Sequence, residues 1–153
     1  METFARARQF RILVASVLLA VLLLAGFGCT IRLIAEYDEQ TDRSVTALQR
    51  KMEAFFVHLG NIAGTPEADY ANYKDFYEEV RVDISAIKLR VDAKPLNTQT
   101  QEQIDLLERS VNDLEEIHEL GIRHAEVVET LRKQFNTAFV AILKLELEKK
   151  RGE

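Results

Sequence analysis

The sequence predicts an all-α protein in which an apolar N-terminal segment precedes an antiparallel, up-down four-helix bundle. An uncharged run of twenty residues covers positions 12–31. Beyond it, apolar residues recur three and four positions apart in four successive stretches, the spacing that keeps one stripe along an α-helix. The 153 residues include no Trp, only 6 Gly and only 2 Pro, which is typical of long helices rather than of a sheet.

The apolar run can cross a membrane, because twenty helical residues at 1.5 Å each span the hydrocarbon core of about 30 Å. Three arginines precede the run, and the flank that follows it is mainly acidic, so the positive-inside rule places the N-terminus in the cytoplasm. The predicted organisation is a cytoplasmic basic flank at 1–11, a transmembrane or signal segment at 12–31 and an extracytoplasmic helical bundle at 32–153.

Cys29 is the only cysteine and lies near the end of the apolar run, where three fates of the segment are open. The segment stays as an uncleaved signal anchor, or signal peptidase cleaves after the small-x-small sequence Gly26-Phe27-Gly28. In the third case, lipoprotein processing attaches a diacylglyceryl group to Cys29. A lipoprotein signal reads Leu, a small residue, Gly or Ala, then Cys, and only the last two positions match here. The anchor is the leading prediction, and Cys29 is a possible lipidation site.

The first two predicted helices are separated by a glycine-containing connector. The first ends near Gly60, and whether it continues directly from the apolar segment is open. Its stripe consists of Val45, Leu48, Met52, Phe55 and Leu59. The second begins at Thr65 as N-cap, with Pro66 at the first helical position, and stops by Lys94 because Pro95 disfavours helical geometry in the residue before it. Its stripe consists of Tyr70, Tyr73, Tyr77, Val80, Ile84, Ile87 and Val91.

The third predicted helix begins at Thr100, which has the capping-box spacing to Gln103, and Gly121 supplies its C-terminal stop. Its stripe consists of Ile104, Leu107, Val111, Leu114 and Ile117. The fourth has a stripe of Val128, Leu131, Phe135, Ala138, Ile142 and Leu145. It ends in a charged tail, whose basic residues are predicted to be a helix end with charges that complement the helix dipole rather than a binding patch. These are Lys144, Lys149, Lys150 and Arg151.

The connectors are short, which favours antiparallel packing of each helix on the next one within the chain. A long two-helix arrangement or an intermolecular coiled coil is the architectural alternative. In the bundle, the stripes form the core, and eight residues are predicted to be buried. They are Leu48, Phe55, Tyr77, Ile84, Val111, Leu114, Phe135 and Ile142.

No residue is predicted to be catalytic or to bind a metal or cofactor, and the chain is not predicted to be an enzyme. Glu115 and His118 form a single Glu-x-x-His pair, whereas a di-metal bundle needs two such pairs and two more carboxylates. His118 is therefore predicted to be a solvated histidine near a helix end. Met52 lies in an apolar stripe, where core packing explains it without haem. The aromatic cluster of Tyr70, Tyr73, Phe76 and Tyr77 is predicted to be core, with hydroxyl groups reaching the rim.

The charge balance bears on the partners of the protein. There are 20 basic and 25 acidic residues, a net charge of −5, and most of the acidic ones follow the apolar run. An acidic domain without a basic stripe is not predicted to bind nucleic acid, because neutralising phosphates requires clustered Lys and Arg. The predicted partners are the membrane and either another envelope protein or a second copy of this chain.

The segment from Arg6 to Cys29 and the bundle pattern together resemble the small membrane-anchored or lipoprotein-like envelope proteins of bacteria that carry a helical-bundle domain. The resemblance implies an inner-membrane anchor with the bundle in the periplasm, or a membrane lipoprotein, and it implies no mechanism. The leading hypothesis is a non-enzymatic, membrane-tethered binding or scaffolding module. The alternatives are an extracytoplasmic sensory or ligand-binding bundle and a haem- or metal-binding redox bundle.

Overall fold

The computed structural model describes residues 34–152, which belong to one compact unit. This part of the chain contains four α-helices, two short 3₁₀ helices and no strand, so the predicted all-α class is confirmed. The α-helices are α1 (Glu39–Ile62), α2 (Lys74–Asp92), α3 (Thr98–Glu119) and α4 (Ala125–Arg151). The 3₁₀ helices, Pro66–Ala68 and Tyr70–Asn72, lie in the connector between α1 and α2.

The helices form a bundle in which α1 packs against α2 and α4, and α3 packs against the same two helices. Ion pairs between helices show their relative direction, because each joins a residue near the beginning of one helix to a residue near the end of its neighbour. Asp38, just before α1, contacts Arg90 near the end of α2, and Arg81 in α2 contacts Glu115 near the end of α3. The hydrogen bond from Thr100 to Glu146 relates α3 to α4 in the same way. Neighbouring helices are therefore antiparallel.

Helix α1 has its own N-terminal cap. Asp38 is in an extended conformation and its carboxylate accepts hydrogen bonds from the Gln40 amide (3.3 Å) and the Thr41 hydroxyl (2.7 Å). Residues 35–38 are not helical, so the option that α1 continues directly from the apolar segment is wrong. The physical reason is the cap itself, since an Asp side chain that binds the first free amides stabilises a helix start at this position.

The connector between α1 and α2 departs from the prediction. The proposed helix start at Thr65 begins only a 3₁₀ turn, in which the Thr65 side chain makes no cap bond, and the continuous helix begins at Lys74. Asp69 separates the two 3₁₀ helices in an extended conformation. This break leaves the Ala68 carbonyl available to the interior of the bundle, where His118 donates a hydrogen bond to it.

The N-cap of helix α3 lies three residues before the predicted one, and the predicted capping residue has another role. Asn97 is the N-cap residue, without a side-chain cap bond, while Thr100 is buried and bonds to side chains of α4. The C-terminal prediction is confirmed: α3 ends at Glu119, and Gly121 has φ +94°, the left-handed conformation that glycine adopts readily.

All eight residues predicted to be buried are buried, and so is Met52. In two helices, the buried positions near one end differ from the predicted stripe. In α3 the buried residue is His118, whereas Ile117 is 38% exposed, and α4 buries Phe139 together with Glu146 and Lys149. The prediction that His118 is solvated is therefore wrong, because this position faces the core and the side chain finds polar partners there. Lys149 lies in the last turn of α4, as predicted, although its side chain is buried among polar partners.

The predicted transmembrane or signal segment 12–31 and Cys29 lie outside the described residues. Within residues 34–152, none of the helices combines the length and the hydropathy needed to span a bilayer.

Candidate functional site

Two clusters of buried polar side chains lie at opposite ends of α3. The histidine cluster surrounds His118 at the C-terminal end of the helix and includes Tyr77 and the Ala68 carbonyl. The lysine cluster lies near the N-terminal end and joins Asn97 and Thr100 to Glu146 and Lys149. Burying a polar group costs free energy unless it is hydrogen-bonded, so the polar side chains of each cluster are expected to have hydrogen-bond partners inside the bundle.

His118 is fully buried and both ring nitrogens are engaged. Nε2 lies 2.7 Å from the Ala68 carbonyl oxygen, and Nδ1 lies 2.9 Å from the Tyr77 hydroxyl. A carbonyl oxygen only accepts, so Nε2 carries a proton and donates a hydrogen bond to the Ala68 carbonyl oxygen. In the neutral ring Nδ1 is then the acceptor, and the Tyr77 hydroxyl donates to it. The geometry therefore defines a neutral histidine in one tautomer.

Aromatic rings surround His118. The ring centroids of Phe55, Tyr70, Tyr73 and Tyr77 lie 5.2 to 6.0 Å from that of His118. Burial lowers the pKa of His118, while the hydrogen bond to Ala68 and the charge of Asp69 act in the opposite direction. Burial also raises the pKa of Tyr77, and the nearby Glu115 carboxylate raises it further. Both groups are therefore held in their uncharged forms.

The predicted aromatic cluster is part of this core, as expected. Tyr70, Tyr73 and Phe76 are half-buried and pack against the core, and Tyr77 is buried. The Tyr70 hydroxyl reaches the rim, where it donates to Glu115 at 2.8 Å. That hydrogen bond, with burial as the next cause, raises the pKa of Tyr70 to about 12.

Glu115 and His118 do not converge on a common site. The Glu115 carboxylate accepts from the Tyr70 hydroxyl and pairs with Arg81, whereas the imidazole binds Ala68 and Tyr77. Across residues 34–152, no three His, Cys, Asp or Glu side chains form a group that could hold a metal ion. His118 has no free nitrogen to serve as a haem ligand.

The lysine cluster contains a buried ion pair. Lys149 is 7% exposed and Glu146 1% exposed, and the ammonium donates to Glu146 Oε1 at 2.5 Å. Its other two donors reach Asn97 Oδ1 at 2.5 Å and Thr100 Oγ1 at 2.8 Å. All three donors of the lysine are therefore satisfied, which offsets part of the large cost of removing the charge from water.

A cavity of about 330 Å³ adjoins this cluster. Its lining combines buried Lys149, Asn97 and Thr100 with two exposed apolar side chains, Ile34 and Leu96. Glu146 Oε2 is buried and has no hydrogen-bond partner among the described residues. Since Glu146 does not line the cavity, this oxygen is not presented to a ligand there.

The lysine cluster was missed because its members are charged or polar, although the spacing indicates them. Counting from Phe135 and Ile142 along the buried face of α4, the next positions at four and three residues are Glu146 and Lys149. In the same way, His118 follows Leu114 by four residues. A position that continues the apolar stripe is therefore buried even when its residue is polar, provided that the interior of the bundle offers hydrogen-bond partners.

The chain matches no protein-family model, no curated protein and no solved structure. Its function is therefore inferred from its own residues.

Proposed function

We propose that the protein is a non-enzymatic binding or scaffolding module that its N-terminal segment holds at the outer face of a bacterial inner membrane. The observation that carries the non-enzymatic part is that the buried ionisable side chains of the described bundle are already bound within the fold. His118 has two partners, and Lys149 has three. A general acid or base must instead reach a proton of the substrate.

The tether rests on the sequence pattern of positions 1–31, in which basic residues precede twenty uncharged ones. The start of the bundle suits such an attachment. The Ala35 amide donates to the Leu96 carbonyl at 3.1 Å, and Asp38 binds Arg90, so the chain is fixed to the bundle soon after residue 34. A tether at this point therefore holds the whole bundle.

Membrane fractionation of the full chain tests the tether, with a variant lacking residues 1–31 as the control. We expect the full chain in the membrane fraction, resistant to salt and alkaline washing, and the shortened chain in the soluble fraction. Recovery of both chains in the soluble fraction would contradict the proposal. Intact mass with and without Cys29→Ala then separates the anchor from the lipoprotein, because only the latter begins at Cys29 and carries acyl chains.

A sensory or ligand-binding bundle is the second candidate, and the cavity of about 330 Å³ favours it, since small-molecule sites are commonly clefts of about 300–1,000 Å³. Small molecules with an apolar part are suitable probes, because Ile34 and Leu96 present exposed apolar side chains to the cavity. A rise in melting temperature with one probe, lost in Leu96→Asp, would support this candidate.

The haem alternative requires an axial ligand other than His118, and an absorbance spectrum of the purified protein tests it.

A further inference from the structure

Helix α2 presents an apolar stripe to solvent. The α2 stripe consists of Val82, Ala86 and Leu89 in the helix and Ala93, its C-terminal cap residue, spaced four, three and four residues apart, and all four residues are exposed. Val82 is 68% exposed and Leu89 71% exposed. The opposite face of α2 supplies the core of the bundle through Val80, Ile84, Ile87 and Val91. Packing within the bundle therefore does not account for the stripe.

We propose that two copies of this chain pair through the α2 stripes, with the two helices antiparallel. A two-fold axis that passes between residues 87 and 88 places Val82 opposite Ala93 of the second copy, and Ala86 opposite Leu89. Each bulky side chain then meets an alanine. This is the self-complementary packing that a two-fold interface requires, and the four-three spacing is that of a coiled-coil seam.

Charges beside the stripe favour the same direction. Asp83 and Arg90 lie on the flank that faces α1, where they contact Lys51 and Asp38. Their side chains remain 41% and 46% exposed. Antiparallel pairing places Asp83 of each copy opposite Arg90 of the other, which gives two equivalent attractions. Opposite charges in these flanking positions select the orientation of paired helices.

Parallel pairing is disfavoured by the same residues. It would place alanine opposite alanine and leucine opposite leucine, so the layers along the stripe would alternate between gaps and crowding. It would also bring Asp83 towards Glu78 of the second copy, because these positions flank the seam on opposite sides. Like charges there are repulsive.

The stripe is short, and this determines where pairing occurs. Four residues on one helix bury less than the roughly 800 Å² per partner of a standard stable interface, so pairing is weak in dilute solution. Confinement to a membrane raises the effective concentration of the second copy. In this respect alone, the inference rests on the proposed tether, and it deepens the proposed function by naming a second copy as the partner.

Disulfide cross-linking in membranes tests the pairing and its direction. Val82→Cys and Ala93→Cys are made separately in a Cys29→Ala background and are expressed together with different tags. We expect a disulfide-linked dimer in the mixture and in neither variant alone. Paired Val82 and Ala93 fall within disulfide reach, whereas two copies of Val82 lie about 16 Å apart along the helix direction, beyond the usual limit of about 7 Å.

Two controls accompany the experiment. Val140→Cys places a cysteine at an exposed valine of α4, outside the stripe, and should not cross-link with either variant. Leu89→Glu, introduced into both cysteine variants, should abolish the dimer, and circular dichroism checks that the helices remain. Leu89 is exposed, so this substitution does not disturb the core.

Each result has a defined meaning. A dimer of Val82→Cys alone would show parallel pairing and overturn the inference, as would a mixture that forms no dimer or one that persists with Leu89→Glu. Fractionation of the same samples tests the tether separately. A soluble chain that still forms the mixed dimer would contradict the proposed location while supporting the pairing.

Discussion

His118 illustrates how a single residue can set the pH range in which the bundle is stable. In the folded chain the neutral ring has both partners satisfied. A protonated ring would have donors on both nitrogens, so the Tyr77 hydroxyl would have to accept and its own proton would lose its partner. Protonation therefore costs more in the folded state than in the unfolded state, consistent with the lowered pKa of His118.

The sign of the pH effect follows from this difference. Because the folded-state pKa of His118 lies below its usual 6.5, the unfolded chain binds more protons as the pH falls through 6.5. The free energy of unfolding should decrease from that pH down to the lower folded-state pKa. Urea unfolding at pH 7, 6 and 5 measures this. We expect His118→Gln to flatten the profile in this window, while His124→Gln, an exposed control, should keep it. Identical profiles for both variants would contradict the assignment.

The buried pair Glu146–Lys149 gives a second prediction at the residue scale. Lys149→Met leaves the Glu146 carboxylate buried without its cation, and breaking a buried pair in this way commonly costs about 3–5 kcal/mol. The double variant Glu146→Leu, Lys149→Met removes both charges and should recover part of that loss. Lys144→Met, at an exposed position of the same helix, is the control. The single variant Glu146→Leu is measured as well. If the double variant loses as much stability as Glu146→Leu and Lys149→Met added together, the two charges do not depend on each other.

At the scale of elements, the contact between the two connectors at the far end of the bundle depends on Gly64. The Gly64 amide donates to the Ile122 carbonyl at 3.2 Å, and the residue has φ +81°. A Cβ atom there would lie 2.8 Å from the Arg123 carbonyl oxygen. Both the conformation and the close approach therefore require glycine.

Gly64→Ala should lower the melting temperature, because strain of this kind costs about 1–3 kcal/mol. Gly152→Ala is the matched control: its φ is −84°, and an added Cβ would make only ordinary contacts. Differential scanning calorimetry of the two variants measures the difference. A similar shift for both would mean that the connector relaxes to accommodate the methyl group.

The boundaries and faces of the elements show what the sequence could predict. The four stripes, the stops near Pro95 and Gly121, and the buried set were predictable, because apolar spacing and helix-breaking residues are local signals. The start of α2 was not, since the chain before Lys74 is shaped by a distant contact between Ala68 and His118. The lysine cluster was not either, because Asn97 and Lys149 are far apart in sequence and only the fold shows that they satisfy each other.

At the scale of the whole molecule, the described bundle has a core of its own, and we expect residues 34–152 to fold without the preceding segment. Circular dichroism of this fragment should show a predominantly helical protein.

Phe135 is buried and packs on Phe56, so Phe135→Ala should lower the free energy of unfolding by about 3–5 kcal/mol. Glu129→Ala, which removes exposed contacts to Arg132 and Lys133, should change stability by less than about 1 kcal/mol. Equal effects would place Phe135 outside the core.

The positions of the first and last described residues have a consequence for the proposed pair. Residues 34 and 152 lie at the same end of the bundle, as the contact of Lys150 with the Tyr37 ring at 5.1 Å shows. The two-fold axis between residues 87 and 88 passes close to this end of the bundle, because Asp38 contacts Arg90 and the Ala35 amide binds the Leu96 carbonyl. At 1.5 Å per residue, the two Ala93 positions of the pair lie about 16 Å apart along the helix direction, and the entry points beside them are separated along that direction by a comparable distance. Pairing therefore brings residue 34 of each copy near the middle of the dimer, while the connectors at the other end of each bundle, where Gly64 contacts Ile122, lie at its two outer ends.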